Sequence, residues 1–175
     1  RGRKIKAVIG KDTRLSSYML EYAVASGLAS SGADSYILHV TTTPSVSYIC
    51  KADSFDIGIM ISASHNPYYD NGIKIITSDG KKLGDDISDK IELYIDRDFK
   101  ALDLDGELPF ETGDEIGKIV DYYGGRNRYI GYLISIAKSS FKCLKIGLDL
   151  ANGSTHMIGK SVFSALGARV VSIND

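Results

Sequence analysis

Four side chains able to do chemistry crowd one polar stretch: Ser64, His65, Asn66 and Lys74, within Ile61-Ser62-Ala63-Ser64-His65-Asn66-Pro67-Tyr68-Tyr69-Asp70-Asn71-Gly72-Ile73-Lys74. A hydroxyl becomes a nucleophile once a neighbour takes its proton, and an ammonium can hold an anion or move a proton. The stretch follows the apolar run Phe55 to Ile61, and open α/β sheets bind ligands beyond the carboxyl ends of their strands. The residue types alone equally allow a turn whose Ser and Asn side chains bond to nearby backbone. A second stretch, Gly153 to Ser161 (GSTHMIGKS), approaches a nucleotide-binding P-loop but holds one residue too many between its glycines. Its Met157 and Ile158 fit the core face of a helix better. No G-x-G-x-x-G is present, and His39 and His156 match no metal-ligand spacing, so both read as structural.

The elements that must position these groups alternate. Ile5 to Ile9 reads as a buried strand, and a polar loop Lys11-Asp12-Thr13-Arg14 follows it. Ser16 or Ser17 is placed to cap a helix with Leu20, Val24 and Leu28 on one face and Gly32 at its end. Tyr36 to Val40 is the next strand, and Thr43-Pro44 an N-cap followed by proline at the first helical position. Phe55 to Ile61 is apolar throughout, as a strand covered on both faces should be. Strands are also expected at Ile73 to Ile76, Lys145 to Leu150 and Arg169 to Ile173. Helices are expected at Asp85 to Ile95, Tyr129 to Ala137 and Thr155 to Leu166, with a surface loop from Arg97 to Asp114. The pattern predicts an α/β fold with a mixed, mostly parallel sheet flanked by helices. A domain boundary is expected near residues 140–145, where a new β-α-β unit begins: 1–140 as a first domain and 141–175 as the truncated start of a second.

Composition narrows the classes. The 175 residues are 43% apolar and 25% charged, and 21 Lys and Arg against 22 Asp and Glu leave a net charge of −1. There is no basic surplus for a nucleic-acid backbone, and no apolar run approaches the length of a membrane span. Cys50 and Cys143 stand far apart with no CxxC pattern, which fits a reducing cytoplasm better than a disulfide framework. An opening at Arg1 rather than Met, with a strand-like run entered within four residues, suggests a piece of a longer protein.

The order of residues adds more than their types. Ser-Ala-Ser-His-Asn-Pro followed by Asn-Gly-Ile-Lys resembles the active-site serine loop of the α-D-phosphohexomutase superfamily. Gly10-Lys11-Asp12-Thr13-Arg14 is similar to that superfamily's first-strand loop, Thr43-Pro44 to the step before its second helix, and Asp149-Leu150-Ala151-Asn152-Gly153-Ser154 to the opening of its second domain. The resemblance implies an isomerase that shifts a phosphate within a sugar through a phosphoserine at Ser64. It implies Lys74 as general acid and base, Arg14 facing the serine as a phosphate ligand and catalytic group, and His65 and Asn66 on phosphate or substrate. Lys74 could work as a base only with a lowered pKa, which neighbouring positive charge would supply. Mg²⁺ is implied on the Ser64 phosphate, its carboxylates coming from an Asp-Gly-Asp-x-Asp-Arg loop beyond Asp175. Within the superfamily, Pro-Tyr-Tyr-Asp-Asn-Gly-Ile-Lys and Leu166-Gly167-Ala168 resemble the branch acting on glucosamine phosphates, on the route to UDP-N-acetylglucosamine and cell-wall precursors. The phosphomannomutase/phosphoglucomutase branch and a non-catalytic remnant are the alternatives. By itself the piece is expected to be inactive.

Overall fold

The computed structural model describes residues 3–175; Arg1 and Gly2, where the expected first domain begins, lie outside the described residues. Strands β1 (Lys6–Lys11), β2 (Asp34–Val40), β3 (Ile57–Ile61), β4 (Ile73–Thr77) and β5 (Ile119–Asp121) form one sheet in the order β4-β3-β1-β2-β5. Every neighbouring pair is parallel except β3 and β4. Helices α1 (Leu15–Ser30), α2 (Thr43–Ala52), α3 (Asp85–Ile95) and α4 (Tyr123–Ser135) accompany it. Successive strand residues point to opposite faces, and the core divides accordingly. Val8 joins Leu38, Val46, Ile49 and Met60 on the face covered by α2 and α4. Ile9 joins Ile37, Ile59 and Ile61 on the face covered by α1. A second, two-stranded parallel sheet pairs β6 (Lys145–Asp149) with β7 (Arg169–Ile173) through α5 (His156–Ala165). Ile158 of α5 is buried against Tyr129 and its neighbours. No helix among the described residues is long and apolar enough to cross a membrane.

Several local expectations are corrected. The residue capping α1 is Arg14, without a side-chain cap bond, and Ser17 Oγ instead donates back to the carbonyls of Asp12 and Arg14. The deepest stripe of α1 is Ser17, Glu21, Ala25 and Ala29. Leu20, Val24 and Leu28 only flank it, because small side chains let the helix axis approach the sheet. Thr42, one residue earlier than expected, caps α2, and its side chain accepts from the Ser45 N–H. Met157 is 44% exposed, so of the two α5 residues expected in the core only Ile158 is there. Strand β5 and the first turns of α4 fall where no periodic pattern is visible, and the 97–114 loop contains two short 3₁₀ turns, Phe99–Leu102 and Gly113–Glu115.

Edge strand β5 depends on Gly117. A Cβ there would lie 2.0 Å from the Ala33 carbonyl oxygen and 2.5 Å from its carbon. Both are backbone atoms that cannot rotate away. Gly117→Ala is therefore expected to destabilise by about 1–3 kcal/mol, the usual cost of overpacking. Urea unfolding should show a lower midpoint at unchanged slope, and an unchanged midpoint would contradict the close approach.

Candidate active site

The carboxyl ends of β1 and β3 lie side by side, with Lys11 opposite Ile61, and each strand delivers one loop. From β3 the chain runs through Ser62 and Ala63 to Ser64, which takes a left-handed backbone conformation (φ +56°) that non-glycine residues seldom adopt. The Ser64 N–H donates to Ser62 Oγ at 3.1 Å, the Asn66 N–H to the Ala63 carbonyl at 3.1 Å, and the Asp70 N–H to the Pro67 carbonyl at 3.0 Å. The segment is thus a set of tight turns that leaves Ser64 exposed at its rim. It closes where the Ser62 N–H bonds the Gly72 carbonyl at 2.8 Å and β4 begins.

Because β4 returns antiparallel along β3, Lys74 sits across from Met60, close under the loop that β3 releases. Its ammonium donates to Ser64 Oγ at 2.6 Å. A short charge-assisted bond between ammonium and hydroxyl aligns a proton donor with the oxygen that would have to lose or gain a proton. The structure therefore brings Ser64 and Lys74 together. Asn66 is part of the same turn, where Nδ2 donates to Asp70 Oδ2 at 3.2 Å. His65 is exposed and makes no hydrogen bond among the described residues.

Arg14 arrives in the loop that leaves β1. Nε donates to Asp12 Oδ2 at 2.8 Å, Nη1 to the carbonyls of Pro67 and, at 2.9 Å, Asp70, and Nη2 to those of Ser64 at 3.1 Å and Asn66 at 2.9 Å. The guanidinium grips the back of the serine loop, with all five of its N–H donors engaged. Asp12 was not singled out in the sequence, although an aspartate two residues before an arginine in a strand-end loop is a visible signal. Ser62 and the Ser16–Asn71 side-chain bond also shape the loop and carry no sequence signal of their own.

A cleft of about 700 Å³ opens in front of this loop, lined by Arg14, Ser62, Ser64, Tyr68 and Tyr69 on one side and Ala151 to Ser154 on the other. That is the size of a small-molecule site. Thr13 Oγ1 donates to the Asn152 carbonyl at 2.8 Å across its floor. Beyond that contact a second cleft of about 600 Å³ is lined by Lys11, Tyr18, Tyr22, His39, Arg126 and His156; Ser64 is not part of it. Lys11 is fully buried, its ammonium 2.9 Å from the centre of the Tyr18 ring. Burial pulls its pKa down, opposed by the negative charges of Glu21 and Asp12. Burial likewise raises Glu21, opposed by His39 and Lys11. His39 bridges Glu21 (3.3 Å) and Asp121 (3.1 Å) at the end of β2.

The groups facing Ser64 Oγ are not those of a cation site. Among the described residues no cluster of three or more His, Cys, Asp or Glu could hold a metal, and the nearest charged group to the hydroxyl is an ammonium. This donor set does not fit Mg²⁺.

Known proteins resemble this chain over nearly all of its length. Phosphoglucosamine mutase of Lachnospira eligens is 56% identical over 171 residues, and that of Lachnoclostridium phytofermentans 57% over 171. Each alignment covers 98% of this chain but 37% of the relative, so the chain spans little more than a third of the length of these proteins. The crystal structure of a phosphoglucomutase/phosphomannomutase family protein from Burkholderia thailandensis superimposes with a TM-score of 0.73 at 26% identity, over 97% of this chain and 36% of that one. Residues 1–101 match the family model described as phosphoglucomutase/phosphomannomutase, alpha/beta/alpha domain I. With more than half its length under that model and the serine loop inside the matched part, the chain belongs to the phosphoglucomutase/phosphomannomutase family.

Proposed function

We propose that this chain is the serine-bearing part of a phosphoglucosamine mutase, a cytoplasmic isomerase that interconverts glucosamine 6-phosphate and glucosamine 1-phosphate. The observation that carries the reading is the 2.6 Å contact between Lys74 Nζ and Ser64 Oγ at the mouth of the cleft. The names of the relatives support the choice of sugar. Residues 1–140 would form a first domain and 141–175 open a second.

The proton balance follows from that contact. Phosphate leaves Ser64 Oγ for the free hydroxyl of glucosamine 6-phosphate, giving a 1,6-bisphosphate; the Oγ–P bond breaks, and the hydroxyl must surrender a proton as its O–P bond forms. Lys74 gives its proton to the departing Ser64 Oγ and recovers one from the sugar hydroxyl, so one group serves as acid and base. After the sugar turns end for end, the same exchange in reverse returns the 6-phosphate to Ser64 and releases glucosamine 1-phosphate. Phosphate on Ser64, with roughly −1.5 to −2 charge, would be met by Lys74 and by exposed His65 and Asn66 at the rim.

The longer protein is expected to prefer glucosamine 6-phosphate over mannose 6-phosphate and glucose 6-phosphate. All three present the same 6-phosphate and anomeric centre to Ser64 and Lys74, so only the group at C2 tells them apart. A site that pairs the 2-amino group rejects analogues lacking it by as much as about 10⁴–10⁵, because its own polar groups are then left unpaired. Comparing kcat/KM for the three compounds decides; equal values, or a preference for mannose 6-phosphate, would move the protein to the other branch of the family.

A further inference from the structure

We propose that Arg14, anchored by Asp12, is a positioning residue that holds Ser64 against Lys74 and gives no donor to the phosphate itself. The proposal rests on Ser64 being the phosphate acceptor. Arginine has five N–H donors in a planar fork, and here all five are spent: one on Asp12 Oδ2 and four on the carbonyls of Ser64, Asn66, Pro67 and Asp70. The anchor is itself held, since the other Asp12 oxygen accepts the Arg14 backbone N–H at 3.0 Å. Both side chains are only 10% exposed.

The geometry explains how a loop keeps a serine in a left-handed conformation. The acceptors surround a single cation, so residues 64–70 wrap the guanidinium and cannot relax without leaving charge-assisted bonds unmade. Turning the fork toward a phosphate would cost at least two of those bonds. The backbone of Arg14 occupies the N-cap position of α1, so the loop's place is referred to the sheet and to α1. Thr13, between anchor and clamp, bonds Asn152 on the far wall of the cleft. One tripeptide, Asp12-Thr13-Arg14, therefore touches both walls.

A phosphate ligand and a loop clamp respond differently to lysine. Lysine keeps the positive charge but offers three donors on a compact ammonium and no planar fork. The test uses the full-length protein with Arg14→Lys, Arg14→Ala and the milder Asp12→Asn. The readouts are hydrogen–deuterium exchange across residues 62–72 and separate kcat and KM values for the sugar phosphate. If Arg14 is a clamp, exchange in that segment rises about tenfold or more in both Arg14 variants. Their kcat values fall alike by about 10²-fold, the cost of an ångström-scale misplacement, while KM stays within about threefold. Asp12→Asn lies between, because its amide oxygen still accepts one bond. Unchanged exchange in β1 and β3 shows that a variant is folded, and if an Arg14 variant is not, Asp12→Asn carries the comparison. Near wild-type kcat in Arg14→Lys with loss only in Arg14→Ala would overturn the proposal. So would a rise in KM at unchanged kcat, or unchanged exchange over 62–72. Failure of the Ser64 assignment is separately visible: the wild-type protein would then lack phosphate on Ser64 and mutase turnover, while the exchange measurement would still report on the clamp.

Discussion

Ser64→Ala in the full-length protein is expected to remove both the protein-bound phosphate and mutase turnover, the latter by about 10⁴-fold or more, as losses of a covalent nucleophile do. Freshly purified wild-type protein should carry one phosphate, mapped by peptide mass to Ser64. The alternative acceptor in the loop is Ser62, but it is 7% exposed and its Oγ is occupied by the Ser64 N–H, so Ser62→Ala should keep the phosphate. Stability separates chemistry from folding. Ser64 is exposed and its hydroxyl makes one side-chain bond, to Lys74, so Ser64→Ala should shift stability within about 0.5 kcal/mol, as exposed substitutions usually do. Phosphate found only on Ser62, with Ser64→Ala fully active, would sink the assignment.

The identity of this loop was legible, and its shape was not. A polar run after a buried strand, holding Ser64, His65, Asn66 and Lys74, marks a strand-end site by type and order alone. What makes it a site is three-dimensional. Lys74 reaches Ser64 because β4 turns back along β3, and Ser64 points outward because it adopts a left-handed backbone conformation. An apolar strand followed by an Asn-Gly turn announces neither. Arg14 is the sharpest case. The resemblance implies a phosphate ligand at this position; four of the five bonds its guanidinium makes go to backbone carbonyls, and backbone acceptors leave no trace in a sequence.

The fold shows the same division. Strands with an apolar centre, β1 to β3, lie within a residue or two of their expected places, and so do α3 and the β6-α5-β7 unit. Strand β5, three residues at the sheet edge, is too short to show a period. Helix α4 begins at Tyr123 although Gly124 and Gly125 follow, residues that oppose helix by about 1 kcal/mol each. Packing outweighs that at Gly125: a Cβ there would sit 2.7 Å from Leu38 Cδ2 and 2.8 Å from the Tyr122 ring. The glycine that hid the helix from the sequence is what lets the helix lie on the sheet. Glu21, buried in the stripe of α1, misleads in the same way, since its pairing with His39 is made across two elements.

Lys74 has two separable duties, and two substitutions pull them apart. Lys74→Met keeps the length of the side chain and removes the ammonium; Lys74→Arg keeps the charge in a guanidinium that stays protonated at any working pH. If Lys74 relays the proton between Ser64 Oγ and the sugar hydroxyl, both variants lose kcat by about 10²–10⁴-fold, the usual contribution of general acid–base catalysis. If it only steadies the phosphate by charge, Lys74→Arg should keep most of the activity and Lys74→Met alone should fail. Single-turnover transfer from phosphorylated Ser64 to glucosamine 6-phosphate isolates the step, because binding and release no longer limit the signal. Folding is not at stake, since Lys74 is half-buried on edge strand β4 and, among the described residues, its ammonium bonds only Ser64. The contact of 2.6 Å, made to the oxygen that must change its proton count, argues for the relay. Arginine at more than about a tenth of wild-type kcat would assign Lys74 to the phosphate cradle instead.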